Sequence, residues 1–179
     1  GKMLHVHTDQ LNFAAERGTE RLIACMREMN MTPSAADETP LVWAIHMISP
    51  STYDQKRYEA LVDGLLECNI GVVSCPSAAI GMRQFRQVLS PTHNSIPRVL
   101  DMAARGVHIR LGSDNVADMC SPSTTANLMD EVFMLSAAER YFDPTILAKF
   151  AAGVALNAQD RDTLRQHLEL NDVEIEKRL

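Results

Sequence analysis

The chain has 179 residues, of which 46% are hydrophobic, and its formal net charge at pH 7 is −6. This length suits one globular domain with a core of its own and is too short for two domains. Lysine and arginine are scattered along the chain, which argues against the clustered basic face that binding to nucleic acid or to a membrane surface requires.

The four cysteines, Cys25, Cys68, Cys75 and Cys120, lie far apart and form no CxxC pair. This spacing indicates reduced thiols rather than a disulfide framework or a zinc knot. The sequence also lacks a charged-then-apolar leader and any apolar run near the roughly 20 residues of a membrane span. We therefore expect a cytoplasmic protein.

The first units alternate between strand and helix patterns. Residues 3–10 (MLHVHTDQ) begin with the alternation of a strand, and polar residues collect at its end. Residues 14–31 predict a helix because Ile23 and Met26 belong to an apolar set at helical spacing. Residues 41–46 (LVWAIH) form a short apolar run, which is typical of a strand buried on both faces.

The alternation continues through two more strands and the helices that follow them. The predicted helices cover residues 53–69, residues 95–106 and a segment from near Ser123 to Tyr141, and the predicted strands cover residues 70–78 and 107–115. Pro76 closes the third strand, and Gly106 can end the helix before the fourth. Four strands that alternate with helices predict an α/β fold with a parallel sheet.

Polar groups stand at the carboxyl end of every predicted strand. In a parallel sheet of βα units, the loops that follow these ends carry the chemistry. The four ends hold, in chain order, His7-Thr8-Asp9-Gln10, His46, Ser74-Cys75-Pro76-Ser77 and Ser113-Asp114-Asn115. A lone strand histidine is more often a hydrogen-bonded core residue than a ligand. The occurrence of polar groups at all four strand ends, which share one edge of the sheet, favours a functional site.

Four segments are similar to the second half of a cytosine-deaminase-like amidohydrolase barrel. They are HVHTDQ, AIHMIS, VVSCPSA and PRVLDMAARGVHIRLGSDNV. The resemblance extends over roughly residues 1–157 and implies strands five to eight of a TIM-type (β/α)8 barrel. Residues 158–179 depart from the family, and their leucine spacing and mixed charge indicate an amphipathic C-terminal helix.

The resemblance implies a role for three residues. His7 falls on the metal ligand of strand five, and His46 falls on the histidine that contacts the hydrolytic water or the substrate. Asp114 falls on the aspartate that binds the metal and shuttles the proton. A divalent ion, zinc or iron, would then supply a metal-bound hydroxide for C–N bond hydrolysis. His5 shares a face with His7, about 6.6 Å away, and is a second ligand candidate below the rim.

Two departures from the family weaken the implied chemistry. The His-x-His pair that the family's first strand supplies has no counterpart here, so half of the barrel and half of the ligands are missing from this sequence. Gln10 lies where cytosine-specific members carry a glutamate that protonates the ring. A glutamine can only hydrogen-bond. A deaminase or amidase of another cyclic or amide substrate is therefore favoured over a cytosine deaminase.

Five further residues have side chains that suit a site: Cys75, His93, Asn94, His108 and His167. Cys75 is better explained as a small buried thiol than as a nucleophile. His93 and Asn94 either reach the site or cap the following helix. His108 and His167 are expected to be structural or solvent-facing.

Two hypotheses from different classes follow. The first is a fragment or split form of a metal-dependent amidohydrolase, which binds a divalent metal weakly or not at all when isolated and shows little activity. The second is a catalytically inactive remnant or assembly module that keeps the half-barrel fold. In both, a four-stranded half should expose sheet edges and the apolar groups of LVWAI and IGVVS. We therefore expect a homo-oligomer or a second polypeptide that supplies the missing half.

Overall fold

The computed structural model describes residues 2–31, 39–81 and 95–179. Its sheet has four strands in the order β1-β2-β3-β4, and every neighbouring pair is parallel. The strands are β1 (Leu4–Thr8), β2 (Val42–His46), β3 (Ile70–Ser74) and β4 (Ile109–Leu111). The predicted α/β fold with a parallel sheet is confirmed.

Helices follow each strand, and a 3-10 turn at Ser49–Thr52 precedes the second of them. The helices are α1 (Gly18–Glu28), α2 (Gln55–Glu67), α3 (Pro76–Gly81), α4 (Val99–Arg105), α5 (Leu128–Glu139), α6 (Pro144–Ala152) and α7 (Ala158–Glu176). This succession of parallel strands and helices is consistent with part of a TIM-type barrel. The assignment to strands five to eight stays a prediction.

Several element boundaries differ from the predicted ones for local reasons. Pro76 begins α3, because proline is well tolerated in the first turn of a helix. The helix expected near Ser123 begins at Leu128, where the Asn127 side chain accepts a hydrogen bond from the Met129 amide at 3.1 Å. Gly106 ends α4 in a left-handed conformation with φ 108°, as its position predicted.

The two faces of the sheet differ in what covers them. On the outer face, Val42, Ala44 and Val72 pack into the main core with the helices. The inner face carries the alternate residues of each strand. In register across the sheet these are His5, Trp43 and Gly71 in one layer and His7, Ile45, Val73 and Arg110 in the next.

The apolar side chains of β2 on the inner face are not exposed, contrary to the expectation for an isolated half-barrel. Trp43 is 0% exposed and Ile45 6%, and both pack with Cys75 and Ala78. Gly71 provides the space for the indole, because a Cβ atom there would lie 2.5 Å from Trp43 Cε3 and Cζ3. On the inner face, the Trp43 ring therefore packs over Gly71 and is shielded from solvent.

All four cysteines are free thiols, with Cys68 and Cys75 buried and Cys25 and Cys120 exposed. Over the described residues, no helix combines the length and the apolar composition needed to cross a membrane. The predicted C-terminal amphipathic helix corresponds to α7, which packs against α4 and buries Leu164.

Glu139 at the end of α5 should make the stability of the protein depend on pH. Burial raises the pKa of its carboxyl from 4.5 to about 7, and the positive charge of Arg98 opposes this rise. The folded state therefore holds the proton more tightly than the unfolded state, and the resulting stability is fully present below pH 4.5 and is lost as the pH rises through about 7.

We expect Glu139→Gln to raise the free energy of unfolding at pH 8 by about 2 kcal/mol relative to the wild type, a value reduced for the partial exposure of the side chain. At pH 4.5 the two proteins should be nearly equal. Urea unfolding between pH 4.5 and 8 measures the difference. Glu169→Gln, an exposed position on α7, is the control, and an equal gain in that variant would contradict the assignment.

Candidate functional site

A cavity of about 460 Å³ lies at the carboxyl edge of the sheet. His7, Gln10 and Asp114 line it, together with residues of α3 and of the loop 115–124. The first strand and the fourth thus contribute to one cavity, because the carboxyl ends of parallel strands share an edge. This edge is where βα folds place their ligands.

His7 and His46 are joined directly. His7 Nδ1 lies 3.0 Å from His46 Nε2, and the ring centroids are 5.0 Å apart. The two side chains differ in environment, because His7 is exposed whereas His46 is buried. One imidazole must donate and the other accept, so the contact links the tautomers of the two rings.

His46 reaches His7 through an unusual backbone conformation. The strict alternation of β2 would place His46 on the outer face with Val42 and Ala44, as the register with Thr8 indicates. Its φ is 80°, however, and the next residue, Met47, has φ 50°. Positive φ is uncommon for residues other than glycine and often accompanies a functional constraint.

Burial and two neighbouring charged groups act on the pKa of His46. Burial lowers its pKa, the carboxylate of Asp114 raises it, and the neighbouring His7 lowers it. Because burial is the largest influence, His46 is held in the neutral form at neutral pH. A neutral imidazole can accept a hydrogen bond as well as donate one.

Asp114 follows β4 in a left-handed conformation with φ 58°. Its backbone lies close enough to lower the pKa of the Cys75 thiol, which follows the end of β3. Burial nevertheless raises the pKa of Cys75 to about 12. The thiol is therefore protonated at neutral pH, which agrees with its interpretation as a buried packing group rather than a nucleophile.

Asp9 anchors the loop that carries Gln10, and sequence reasoning missed it. Its carboxylate is 4% exposed and accepts hydrogen bonds from the amides of Gly18 at 2.6 Å and Thr19 at 2.8 Å. These amides begin α1, where backbone donors lack partners within the helix. Asp9 and Thr19 are ten positions apart in the sequence, so no local capping pattern predicted this contact.

A second set of bonds ties the same loop to the turn after β2. Glu16 Oε2 accepts from the amide of Leu11 at 2.7 Å and from the Ser49 hydroxyl. The Tyr53 hydroxyl donates to the Glu16 carbonyl at 2.6 Å. The Ser49 amide donates to the Asp9 carbonyl at 2.9 Å. The loop between β1 and α1 is thus held on both sides of Gln10.

Glu131 fixes the opposite wall of the cavity. This carboxylate is 2% exposed on α5 and accepts a hydrogen bond from the Ser77 amide at 2.9 Å. Ser77 and Ala78 of α3 line the cavity. Sequence reasoning missed this anchor, because the burial of Glu131 depends on packing with a residue 54 positions away along the chain.

The metal-binding capacity of the site is incomplete in the part of the chain that the structure describes. There, no group of three or more His, Cys, Asp or Glu side chains lies close enough to hold a metal ion. Closed zinc sites use four ligands, and catalytic sites use three protein ligands. His7 and Asp114 therefore represent at most part of a ligand set.

The other candidates lie away from the cavity or cannot be placed. His5 is exposed on β1, one layer below His7. His108 contacts the Gly153 carbonyl, and His167 contacts Tyr141, so both have structural surroundings. His93 and Asn94 are outside the described residues.

No protein-family model matches the chain, and no curated protein matches it. Several solved structures match the chain. The 5-methylcytosine deaminase from Klebsiella pneumoniae, liganded with 5-fluorocytosine or with phosphonocytosine, aligns with a TM-score of 0.70 at 20% identity, over 83% of this chain and 35% of that one. The N-isopropylammelide isopropylaminohydrolase from Burkholderia multivorans aligns with a TM-score of 0.61 at 16% identity, over 83% of this chain and 33% of that one.

At these identities the likeness concerns the fold. The chain has an amidohydrolase-like fold and spans about a third of the length of the solved chains it matches. One of the matched enzymes is a deaminase and the other is an aminohydrolase.

Proposed function

We propose that the chain forms part of a metal-dependent hydrolase that cleaves C–N bonds in cyclic or amide substrates. The observation that carries the proposal is the placement of His7, Gln10 and Asp114 around one cavity at the carboxyl edge of a parallel sheet. The amidohydrolase-like fold supports it, because two of the enzymes with that fold are a deaminase and an aminohydrolase.

His7 and Asp114 would hold the metal, which the resemblance suggests is zinc or iron. The donors suit such an ion, since imidazole and carboxylate both bind it. In addition, His7 Nδ1 is engaged by His46, so its exposed ring can offer Nε2 while a partner fixes its orientation. When bound, the ion would lower the pKa of water toward neutrality.

The remaining roles belong to the chain's own side chains. Asp114 would take the proton from the attacking water, and His46 would orient that water or the substrate. Gln10, held by the anchored loop, would orient the substrate by hydrogen bonding through its amide. It could not supply a proton, which separates this site from one built around a glutamate.

Further ligands would come from outside these residues. We propose that a second polypeptide, or a second copy of the chain, completes both the sheet and the ligand set. We also propose a cytoplasmic location, which agrees with the four free thiols. On this proposal the chain supplies strands five to eight of the barrel.

The second candidate function is an inactive remnant that serves as an assembly module. The specific observation that favours it is the absence, within residues 2–31, 39–81 and 95–179, of a group of three metal-binding side chains. Such a module would keep the fold and bind a partner without hydrolysis.

Zinc titration of the 179-residue chain by calorimetry tests the proposal. We expect weak binding that becomes at least about tenfold weaker in His7→Asn and in Asp114→Asn, because each removes a ligand. His167→Asn, on α7, should bind as the wild type does. Zinc binding that neither site substitution changes would contradict the metal site.

The same preparation tests whether the site is complete. We expect little or no release of ammonia from cyclic amide or amidine substrates by the isolated chain, because two ligands leave an ion largely solvated. Tightly bound stoichiometric metal after dialysis, or robust hydrolysis by the chain alone, would show that no second polypeptide is needed.

A further inference from the structure

Arg110 lies on the inner face, and its positive charge has no anionic partner among the residues that the structure describes. Its Cζ sits 4.4 Å from the centroid of the Trp43 ring, and its Nε is buried without a hydrogen-bond partner. Throughout the described part of the chain, no carboxylate forms an ion pair with it. A guanidinium that is partly removed from water without an anion is unfavourable.

The surroundings hold this guanidinium in place. Gly153, with φ 66°, packs so close that a Cβ atom there would lie 2.7 Å from Arg110 Nε. The Gly153 carbonyl is 3.0 Å from His108 Nε2, and the His108 ring meets Trp43 edge-on at 5.1 Å. Arg110 therefore packs between the Gly153 backbone and the Trp43 indole. These contacts fix the orientation of its guanidinium in the absence of a ligand.

The position of Arg110 makes it reachable. It is only partly buried, and it occupies the same layer of the inner face as His7. The far edge of β4, on which it stands, pairs with no other strand among the described residues. A small molecule or a segment that extends the sheet can therefore approach it.

We infer that Arg110 binds a carboxylate on the inner face, beside Trp43. A carboxylate matches a single planar guanidinium, because both are planar and form two parallel hydrogen bonds. The carboxylate can belong to a free organic acid or to an Asp or Glu side chain of a second copy of the chain. This inference stands independently of the proposed hydrolase.

Trp43 provides the assay, since it is the one tryptophan in the sequence and is fully buried. Sodium acetate is titrated into the full chain at constant ionic strength, with sodium chloride as the balancing salt, while the emission of Trp43 and the melting temperature are followed. We expect a saturable change with a midpoint of about 1–10 mM, as suits one charge-assisted pair. An absent or linear response would overturn the inference.

Variants assign the response to Arg110. Arg110→Gln should raise the acetate concentration at the midpoint by at least about tenfold, because it removes the positive charge and the planar guanidinium. Arg110→Lys keeps the charge but not the planar guanidinium, so it should raise the midpoint by about threefold or more. This variant tests the inference even if Arg110→Gln folds poorly. Arg21→Gln, exposed on α1, is the control. A midpoint unchanged in Arg110→Lys would overturn the inference.

Sedimentation equilibrium distinguishes the two sources. If the carboxylate is a side chain of a second copy, acetate should lower the average mass, and Arg110→Gln should lower it without acetate. If it is a free acid, the mass should stay constant while the emission changes. Either result supports a carboxylate at Arg110. A mass that acetate lowers equally in Arg110→Gln would contradict the side-chain source.

Discussion

Replacing Gly71 with alanine is expected to lower the free energy of unfolding by about 3 kcal/mol. The added methyl group would lie 2.5 Å from two atoms of the Trp43 ring. The indole cannot move aside easily, because its Nε1 donates to the Pro40 carbonyl at 3.0 Å and Arg110 lies over its face. The inner face of β2 and β3 would have to separate. Urea unfolding measures the loss.

Two further variants make the Gly71 prediction specific. Gly81→Ala is the matched control, because a Cβ atom at Gly81 meets no atom of the described residues within 4 Å and alanine favours the helix. That variant should be neutral or slightly more stable than the wild type. Combining Gly71→Ala with Trp43→Leu should cost less than the sum of the single changes, since the smaller side chain relieves the clash. Fully additive losses would contradict the assignment.

Replacing Asp9 with alanine is expected to lower the free energy of unfolding by about 3 kcal/mol, because one buried and one partly buried amide donor lose their acceptor together. Those donors are the amides of Gly18 and Thr19, at 2.6 and 2.8 Å from the carboxylate. Asp9→Asn keeps the size but offers one acceptor oxygen instead of two, so it should fall between alanine and the wild type. Urea unfolding again provides the measurement.

Asp143 is a matched control for Asp9. Its carboxylate also accepts from two amides at the start of a helix, Thr145 at 2.8 Å and Ile146 at 3.2 Å, but the bonds lie nearer to solvent. Asp143→Ala should therefore cost about 1 kcal/mol, the usual cost of losing a helix cap. Equal losses at the two positions would mean that burial of the Asp9 contact contributes nothing.

The sequence predicted the parts of the fold that depend on local pattern. Residues 42–46 of the apolar run 41–46 became β2, and all five are buried, whereas Leu41 is exposed. Gly106 ended α4 because a left-handed residue is needed there. These features follow from periodicity and turn chemistry, which act over a few residues. The functional site that the polar strand ends predicted stays a prediction, and three of its residues, His7, Gln10 and Asp114, line one cavity at the carboxyl edge.

Features that depend on distant residues were not predictable in this way. The burial of Trp43 depends on Gly71, and the anchors Asp9 and Glu131 bind amides nine or more residues away. His46 leaves the face that strand alternation assigns to it, because its backbone adopts a positive φ. Such conformations usually persist where surrounding structure imposes them, so local sequence rules miss them.

The strand order β1-β2-β3-β4 also bears on how the protein reaches its native state. Each strand pairs with the next one along the chain, so no pairing has to wait for a segment synthesised much later. Parallel strands need a crossover connection between them, so pairing of consecutive strands loses less loop entropy than pairing of more distant strands would. The sheet can therefore grow one βα unit at a time as the ribosome releases it, with Trp43 settling over Gly71 once the third strand has emerged.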